Sequence, residues 1–244
     1  EIKGTNVIKG IRMEGLRVVG VPEKMSKDYY LDSADEIIFI DTVASLYGRN
    51  NLHKLVNQVS ENIRLPLCVG GGIRSLEDAK LLLRSGADKI SLNTQICKTP
   101  DLITTLAKSF GSQSVVASVQ AKRKGSNQWE VYYNNGREKT DKEVVYWCKE
   151  VVERGAGEIL LTSIDRDGTK LGPDLDLVDK VKNIINVPII VGGGISSSKD
   201  IIDLVNMGIY AVSISNIIHF NKTKILDIKS DLIKANIKTR IAKF

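Results

Sequence analysis

Two glycine triplets, at residues 70–72 and 192–194, each follow a short apolar segment and are typical of phosphate sites. Glycine has no Cβ, so the backbone N–H groups of such a segment can approach an anion closely. Polar residues end the next predicted strand in each case: Asn93 and Thr94 after the first triplet, Ser215 and Asn216 after the second. One triplet alone fits a tight strand–helix turn equally well. Two triplets in register with two polar strand ends predict a site for a long ligand with a phosphate at each end.

The two triplets belong to an internal repeat. Residues 69–94 align without a gap with residues 191–216, at an offset of 122, and 10 of 26 positions are identical. ADEI at 34–37 aligns with AGEI at 156–159 at the same offset. This repeat predicts two half-barrels, about residues 1–122 and 123–244. Either half alone would leave exposed sheet edges, so we expect one (β/α)8 barrel, of the TIM type, as a single domain over residues 1–244.

Short β-branched segments alternate with longer amphipathic ones along the chain, which favours a parallel sheet covered by helices. The predicted strands span 36–41, 66–70, 89–93, 115–120, 157–162, 188–192 and 211–215, and predicted helices include 75–86, 141–155, 197–208 and 222–238. The opening EIKG is interpreted as the end of a first strand followed by its loop, with the rest of that strand expected upstream. The loops after the strands would form the functional face.

Composition limits the class of function. No apolar segment is long enough to cross a bilayer, and no signal-peptide pattern opens the chain, so we expect a cytoplasmic protein. Cys68, Cys97 and Cys148 are widely spaced and have no metal-ligand pattern, so neither disulfides nor a metal is expected, and no cofactor is indicated. The net charge of +6 is carried by scattered lysines with few aromatic residues. It favours a field that attracts small anions over nucleic-acid binding.

Residues 122–140 predict a β-hairpin, because QWEVYY alternates and is followed by the turn residues Asn134, Asn135 and Gly136. Above the barrel mouth this hairpin would act as a lid. Trp129 could stack on a ligand, but packing within the hairpin is the favoured interpretation. A packing or capping role is likewise favoured over catalysis for His219, which lies beyond the anion site.

Several motifs together resemble one family. They are VIKG (7–10), DEIIFIDTVAS (35–45), LCVGGGIRSLEDAKLLLRSGADKISLNT (67–94), FGSQSVV (110–116), AKR (121–123) and GAGEILLTSIDRDGTKLG (155–172). They closely resemble the cyclase subunit of imidazole glycerol phosphate synthase, an enzyme of histidine biosynthesis. The resemblance implies a lyase subunit that receives ammonia through its barrel from a HisH-like glutaminase partner in a heterodimer. The ammonia would join a ribulosyl aminoimidazole-carboxamide bisphosphate, which is cleaved and cyclised.

The resemblance also assigns residues. It implies one phosphate at Gly72, Asn93 and Thr94, and the other at Gly168, Gly193, Gly194, Ser215 and Asn216. Lys9, placed in a mobile first loop, matches a lysine that closes over the substrate, and Asp41, Thr162 and Asp167 match polar residues that line the site. Glu36, Lys89 and Glu158 match three members of a charged ring that gates ammonia at the bottom of the barrel. An arginine, the fourth member, is expected in the upstream part of strand 1.

The acid–base pair departs from the family pattern. The family uses two aspartates, whereas this chain has Glu1 and Gln120 at those positions, and Gly192 where a serine is usual. Glutamine cannot take or give a proton as a catalytic acid or base under ordinary conditions, and loss of a positioned acid or base lowers the rate by about 10²–10⁴. The combination resembles divergent paralogues found with surface-polysaccharide genes. Three alternatives remain: a divergent ammonia-dependent synthase, a non-catalytic ammonia conduit that activates the glutaminase for a sugar amidotransferase, and an ordinary cyclase that tolerates the changes.

Overall fold

A computed structural model describes residues 1–44 and 52–241 of the chain; the last residue of the DEIIFIDTVAS motif lies outside these ranges. Within them no helix combines the length and the apolar composition needed to span a membrane.

The described strands form two sheets. In chain order they are β1 Ile2–Lys3, β2 Asn6–Ile11, β3 Glu14–Gly20, β4 Ile37–Ile40, β5 Leu67–Gly70, β6 Lys89–Leu92, β7 Val115–Gly125, β8 Gln128–Tyr133, β9 Glu138–Glu143, β10 Glu158–Ser163, β11 Ile189–Gly192 and β12 Ala211–Ser213. The main sheet runs β12-β11-β10-β7-β6-β5-β4, and all these pairs are parallel. At its β4 edge Ile2 forms a parallel bridge with Asp41.

Helices alternate with these strands. They are α1 Pro22–Leu31, α2 Leu52–Ser60, α3 Leu76–Arg84, α4 Thr94–Lys98, α5 Asp101–Phe110, α6 Val144–Glu153, α7 Leu175–Lys182, α8 Ser198–Asn206, α9 Asn216–His219 and α10 Ile225–Lys234. Their apolar faces pack on the outer side of the sheet, where one large cluster holds side chains such as Leu82, Ile103 and Leu204, all fully buried. A parallel sheet curled behind a layer of helices confirms the (β/α)8 fold.

The seven predicted strands of the main sheet are confirmed within one or two residues at most ends. The exception is β7, which continues five residues beyond the predicted segment to form the first strand of the hairpin. The helix predicted over 141–155 begins later, at Val144, because residues up to Glu143 pair in β9 and the Glu143 carboxylate accepts the Tyr146 N–H as an N-cap.

The internal repeat is visible in the structure. Strands β5 and β11, and helices α3 and α8, have bounds that differ by the same offset of 122 residues. Both helices open with a capping box, formed by Ser75 with Asp78 and by Ser197 with Asp200. Such a box satisfies two backbone groups at a helix start. The two halves therefore position their strand ends in the same way.

The segment after Ile2 corrects one prediction. We expected a loop there, but β1, β2 and β3 form a small antiparallel sheet. Its β2–β3 turn has Arg12 and Met13 in left-handed conformations, at φ 54° and 62°. Two such residues in succession are typical of the tight turn that matches strand twist. This β2–β3 hairpin leans over the barrel mouth, where the Arg12 N–H donates to the Asp167 carbonyl.

Candidate active site at the barrel mouth

The polar residues predicted for the site lie at one end of the parallel strands. Gln120 pairs in register with Thr162, and Thr162 with Gly192. Because parallel strands end at a common edge, Asp41, Asn93, Ser215 and the residues after the two glycine triplets share this face. The sheet therefore brings the residues predicted to bind the substrate to the same end of the barrel, its mouth.

The first anion edge has a small cavity of about 110 Å³, lined by residues that include Asp41, Gly72, Thr94 and Gln120. This volume is below the roughly 300 Å³ of ordinary small-molecule pockets, so it suits one end of a ligand. Arg74 and Lys98 also line it and supply positive charge. Sequence reasoning missed both cations, although each lies within a few residues of a predicted phosphate residue.

Asn93 and Thr94 are partly engaged by the protein itself. The Asn93 amide donates to the Ser118 carbonyl at 3.0 Å and to the Tyr132 carbonyl at 3.2 Å. Thr94 Oγ1 accepts the Asn134 N–H at 3.2 Å. The Asn93 amide thus holds the hairpin, which leaves the Thr94 hydroxyl proton and the backbone N–H groups at the start of α4 as donors for an anion.

The second anion edge depends on glycine. Gly194 has φ 86°, and an added Cβ would collide with the Gly172 carbonyl. Gly168 has φ 71°, and its added Cβ would collide with the Gly10 carbonyl. L side chains rarely adopt such φ values. Asn216 Nδ2 donates to the Gly168 carbonyl at 3.3 Å, while its Oδ1 is buried without a hydrogen-bond partner among the described residues.

Lys9 forms the charged centre of the mouth. Its Nζ lies 2.8 and 2.9 Å from the two Asp167 carboxylate oxygens and 3.3 Å from Glu1 Oε1. Burial opposes the charge, but Glu1 and Asp167 outweigh it and raise the pKa of Lys9 above its ordinary value. The prediction that Lys9 lies in a loop is wrong: it lies in strand β2 and is 3% exposed. Two carboxylates therefore hold Lys9 in its charged form at the mouth.

The Gln120 side chain is hydrogen-bonded to the turn of the β7–β8–β9 hairpin. Its Oε1 accepts the Gly136 N–H of the hairpin turn at 2.8 Å, and the side chain is buried. Asp41 Oδ1 accepts the N–H groups of Val43 and Ala44, which fixes the start of the next segment. Among the described residues, the titratable groups in direct contact at the mouth are Glu1, Lys9 and Asp167.

The predicted hairpin is confirmed as strands β8 and β9, and its turn contacts the mouth through Asn134 and Gly136. Trp129 is 1% exposed; its Nε1 donates to Asp174 Oδ2 at 2.9 Å, and the Arg123 guanidinium lies 4.6 Å from its ring centroid. The packed interpretation of Trp129 is confirmed. His219 also packs: its Nδ1 lies 2.6 Å from the Tyr29 hydroxyl, and the two rings stack.

A second charged cluster lies at the opposite ends of the strands. Lys89 Nζ lies 2.9 Å from Glu36 Oε2 and 2.8 Å from Glu158 Oε1, so the structure brings the three predicted gate residues together. Burial, with help from Glu158, raises the pKa of Glu36 above its ordinary value, although Lys89 opposes the shift. Direct ion pairs therefore join residues at or next to the first positions of three strands at this end of the barrel.

An apolar layer separates the two charged ends. Cys68, Val116, Leu160 and Ile190 pack together inside the barrel, apart from the outer core. Burial raises the pKa of the Cys68 thiol far above its ordinary value, so it stays neutral. Ser118, also buried, lies two residues closer to the mouth than Val116 on β7, and the buried Ser91 of β6 pairs in register with Val116. A neutral small molecule such as NH₃ would meet no charge in this layer.

Comparison with known proteins agrees with this geometry. The family model described as "Histidine biosynthesis protein" matches residues 2–224. The imidazole glycerol phosphate synthase subunit HisF of Legionella pneumophila is 52% identical over 200 residues, which cover 82% of this chain and 94% of that protein. The HisF subunits of Pyrobaculum aerophilum and Myxococcus xanthus are 43% and 42% identical over 96% and 98% of this chain, and over 92% and 95% of their own lengths. The chain belongs to the histidine biosynthesis protein family, in which it is similar to HisF subunits.

Proposed function

We propose that the chain is the ammonia-using subunit of a glutamine-dependent synthase of the imidazole glycerol phosphate type. Ammonia enters at the cluster of Glu36, Lys89 and Glu158 and crosses the apolar layer. It reacts with a bisphosphorylated ribulosyl aminoimidazole carboxamide bound across the mouth. The observation that carries the proposal is the pair of matching strand-end edges, one in each half of the barrel, above a separate charged cluster.

The residues have distinct roles in this proposal. Arg74, Lys98 and the segment around Gly72 bind one phosphate; Gly168, Gly193, Gly194, Ser215 and Asn216 bind the other. Lys9 leaves its ion pair with Asp167, contacts the ligand and neutralises the ligand's negative charge. Thr162, in register with Gln120, contacts the middle of the ligand.

Proton transfer is the weak step of the proposed reaction. Gln120 cannot act as an acid or base at ordinary pH, and its amide oxygen already accepts the Gly136 N–H. This observation favours a second candidate: a conduit that activates a glutaminase and passes ammonia to another protein, such as a sugar amidotransferase, without turnover of its own.

One experiment separates the two candidates. The purified chain is given the ribulosyl bisphosphate with an ammonium salt, and imidazole glycerol phosphate is followed. The synthase proposal expects slow turnover that rises by about 10²–10⁴ in the Glu1→Asp/Gln120→Asp variant, because an acid–base pair is restored. The matched control is Glu1→Asp/Gln120→Asn, which shortens both side chains equally but adds no carboxylate at position 120. Stimulation of a glutaminase with no turnover in either variant would support the conduit instead.

A further inference from the structure

A large cleft lies between the two hairpins, beside the mouth rather than inside it. It has a volume of about 700 Å³ and is bounded on one side by the β2–β3 turn and on the other by the β7–β8–β9 hairpin. We call it the hairpin cleft. Its volume is in the range of ordinary ligand sites, roughly 300–1,000 Å³, and exceeds the mouth cavity severalfold.

Four cations line the hairpin cleft: Arg12, Lys122, Arg137 and Lys139. Among the described residues of the lining, Glu14 is the only acidic one. None of the four cations forms an ion pair with another residue in the described ranges, whereas Lys9, on the same strand as the β2–β3 turn, is paired with two carboxylates. Unpaired cations gathered around a concave surface create a positive field that favours a multiply charged anion.

A buried amide provides an independent observation. Asn135 is 7% exposed and lines both the hairpin cleft and the mouth cavity. Its Nδ2 group is buried and has no hydrogen-bond partner among the described residues. A buried donor without a partner is costly to the folded state, so such a group in a ligand cavity indicates a partner supplied by the ligand.

We propose that the hairpin cleft is a second anion site, which binds a phosphorylated small molecule of about nucleotide size. Arg12 and Arg137 contact the phosphate with their planar guanidinium groups, Lys122 and Lys139 neutralise it, and Asn135 Nδ2 donates to the ligand at the boundary with the mouth. Arginine suits this role because its donors match phosphate geometry in pairs. This site goes beyond the proposed synthase reaction, whose substrate lies at the strand ends.

Bound ligand would also join the two walls. Met13 of the β2–β3 turn already packs against the hairpin turn, since a Cβ added at Gly136 would lie 2.9 Å from Met13 Sδ. The β2 wall carries Lys9. An occupant that contacts Arg12 on one side and Arg137 on the other therefore holds the Lys9-bearing sheet against the mouth.

Met13 provides a local probe. The chain has three methionines, and Met207, which follows α8, lies outside the cleft lining. Protein with ¹³C-methyl methionine is titrated with adenosine 5′-monophosphate and, separately, with adenosine, and the methyl resonances are followed by NMR. We expect a saturable shift of Met13 with the monophosphate, none with adenosine, and no change at Met207.

Three variants sharpen the test. Asn135→Asp keeps the shape and tolerates the left-handed backbone at φ 58°, but it replaces the donor with a negative charge. We expect it and Arg137→Gln each to weaken monophosphate binding by about tenfold or more. Lys124→Gln removes one exposed cation of the same hairpin outside the cleft and should leave the affinity unchanged.

The proposal is overturned if the Met13 methyl does not respond, if adenosine acts as well as its monophosphate, or if Lys124→Gln weakens binding as much as Arg137→Gln. Because the readout is binding at Met13, its outcome does not depend on whether the chain forms imidazole glycerol phosphate.

Discussion

Lys9 lies between two carboxylates with only 3% of its surface exposed, so its charge is tolerable only while Asp167 and Glu1 remain ionised beside it. Breaking a buried pair by removing one partner costs about 3–5 kcal/mol, because the other charge is left uncompensated. We therefore expect Lys9→Met to lower the free energy of unfolding by about that amount in urea denaturation. The Lys9→Met/Asp167→Asn variant should recover much of the loss. If the losses measured for Lys9→Met and for Asp167→Asn alone simply add in the double variant, the two residues are not coupled.

His219 predicts a dependence of stability on pH. Burial, followed by nearby positive charge including Lys9, lowers the pKa of His219 to about 3. In the unfolded chain its pKa is about 6.5, so below that pH the unfolded state binds the proton and the folded state does not. Above about pH 6.5 the titration of His219 does not change the free energy of unfolding. As the pH falls from about 6.5 toward 3, the free energy of unfolding decreases by about 1.4 kcal/mol per pH unit.

Urea denaturation at pH 7, 6 and 5 tests this expectation. His219→Gln should remove most of the difference between pH 6 and pH 5, although it also costs stability at pH 7 because the Tyr29 contact changes. A parallel pH dependence in the variant would assign the acid sensitivity to other groups.

At the scale of elements, Asp174 fixes the hairpin to the barrel. It is 4% exposed, pairs with Arg123 at 2.7 Å, accepts the Trp129 Nε1–H and caps α7 through the Leu177 N–H. We expect Asp174→Ala to destabilise the protein by about 3 kcal/mol, since it removes a cap and leaves a buried indole donor unpaired. Trp129→Phe removes the indole donor and part of the buried ring but keeps the helix cap and the Arg123–Asp174 ion pair, so it should cost less. Both are measured by thermal or urea unfolding.

The elements themselves could be predicted because each carries its own pattern. The apolar segments before Gly70 and Gly192 indicate strands, and Ser75 and Ser197 mark helix starts. The attachment of the hairpin could not be predicted, because the residues Trp129 and Asp174 are 45 positions apart and only the closed barrel brings them together. The sheet that carries Lys9 was missed for a different reason: its residues VIKGIRMEG lack strict alternation and read as a loop.

At the scale of the whole molecule, duplication explains how far the site was predictable. The offset of 122 places each glycine triplet and each polar strand end in equivalent positions, so one half predicts the other. Other features of the site could not be predicted from the repeat. They depend on where side chains point or are present in one half alone, and a sequence pattern specifies neither; examples are the unpaired Asn135 amide and the cations Arg74 and Lys98.

The last prediction follows from the separation of the two charged ends of the barrel. It concerns the transport of ammonia rather than its reaction. Lys89 lies at the end opposite the mouth, with the apolar layer between, so a change there should affect delivery of ammonia and leave its reaction intact. In the Glu1→Asp/Gln120→Asp background we expect Lys89→Met to reduce product formation driven by glutamine and the glutaminase partner. Product formation driven by an ammonium salt should be unchanged.

Lys80→Met is the matched control for Lys89→Met, because within residues 1–44 and 52–241 Lys80 pairs only with the exposed Glu77, at 3.9 Å on the surface of α3. It should affect neither reaction, since an exposed ion pair of this kind contributes about 0–1 kcal/mol. The ratio of glutamine-driven to ammonium-driven rates is the quantity to compare. An equal fall of both rates in Lys89→Met would mean that the cluster of Glu36, Lys89 and Glu158 supports the fold of the strands and has no part in admitting ammonia.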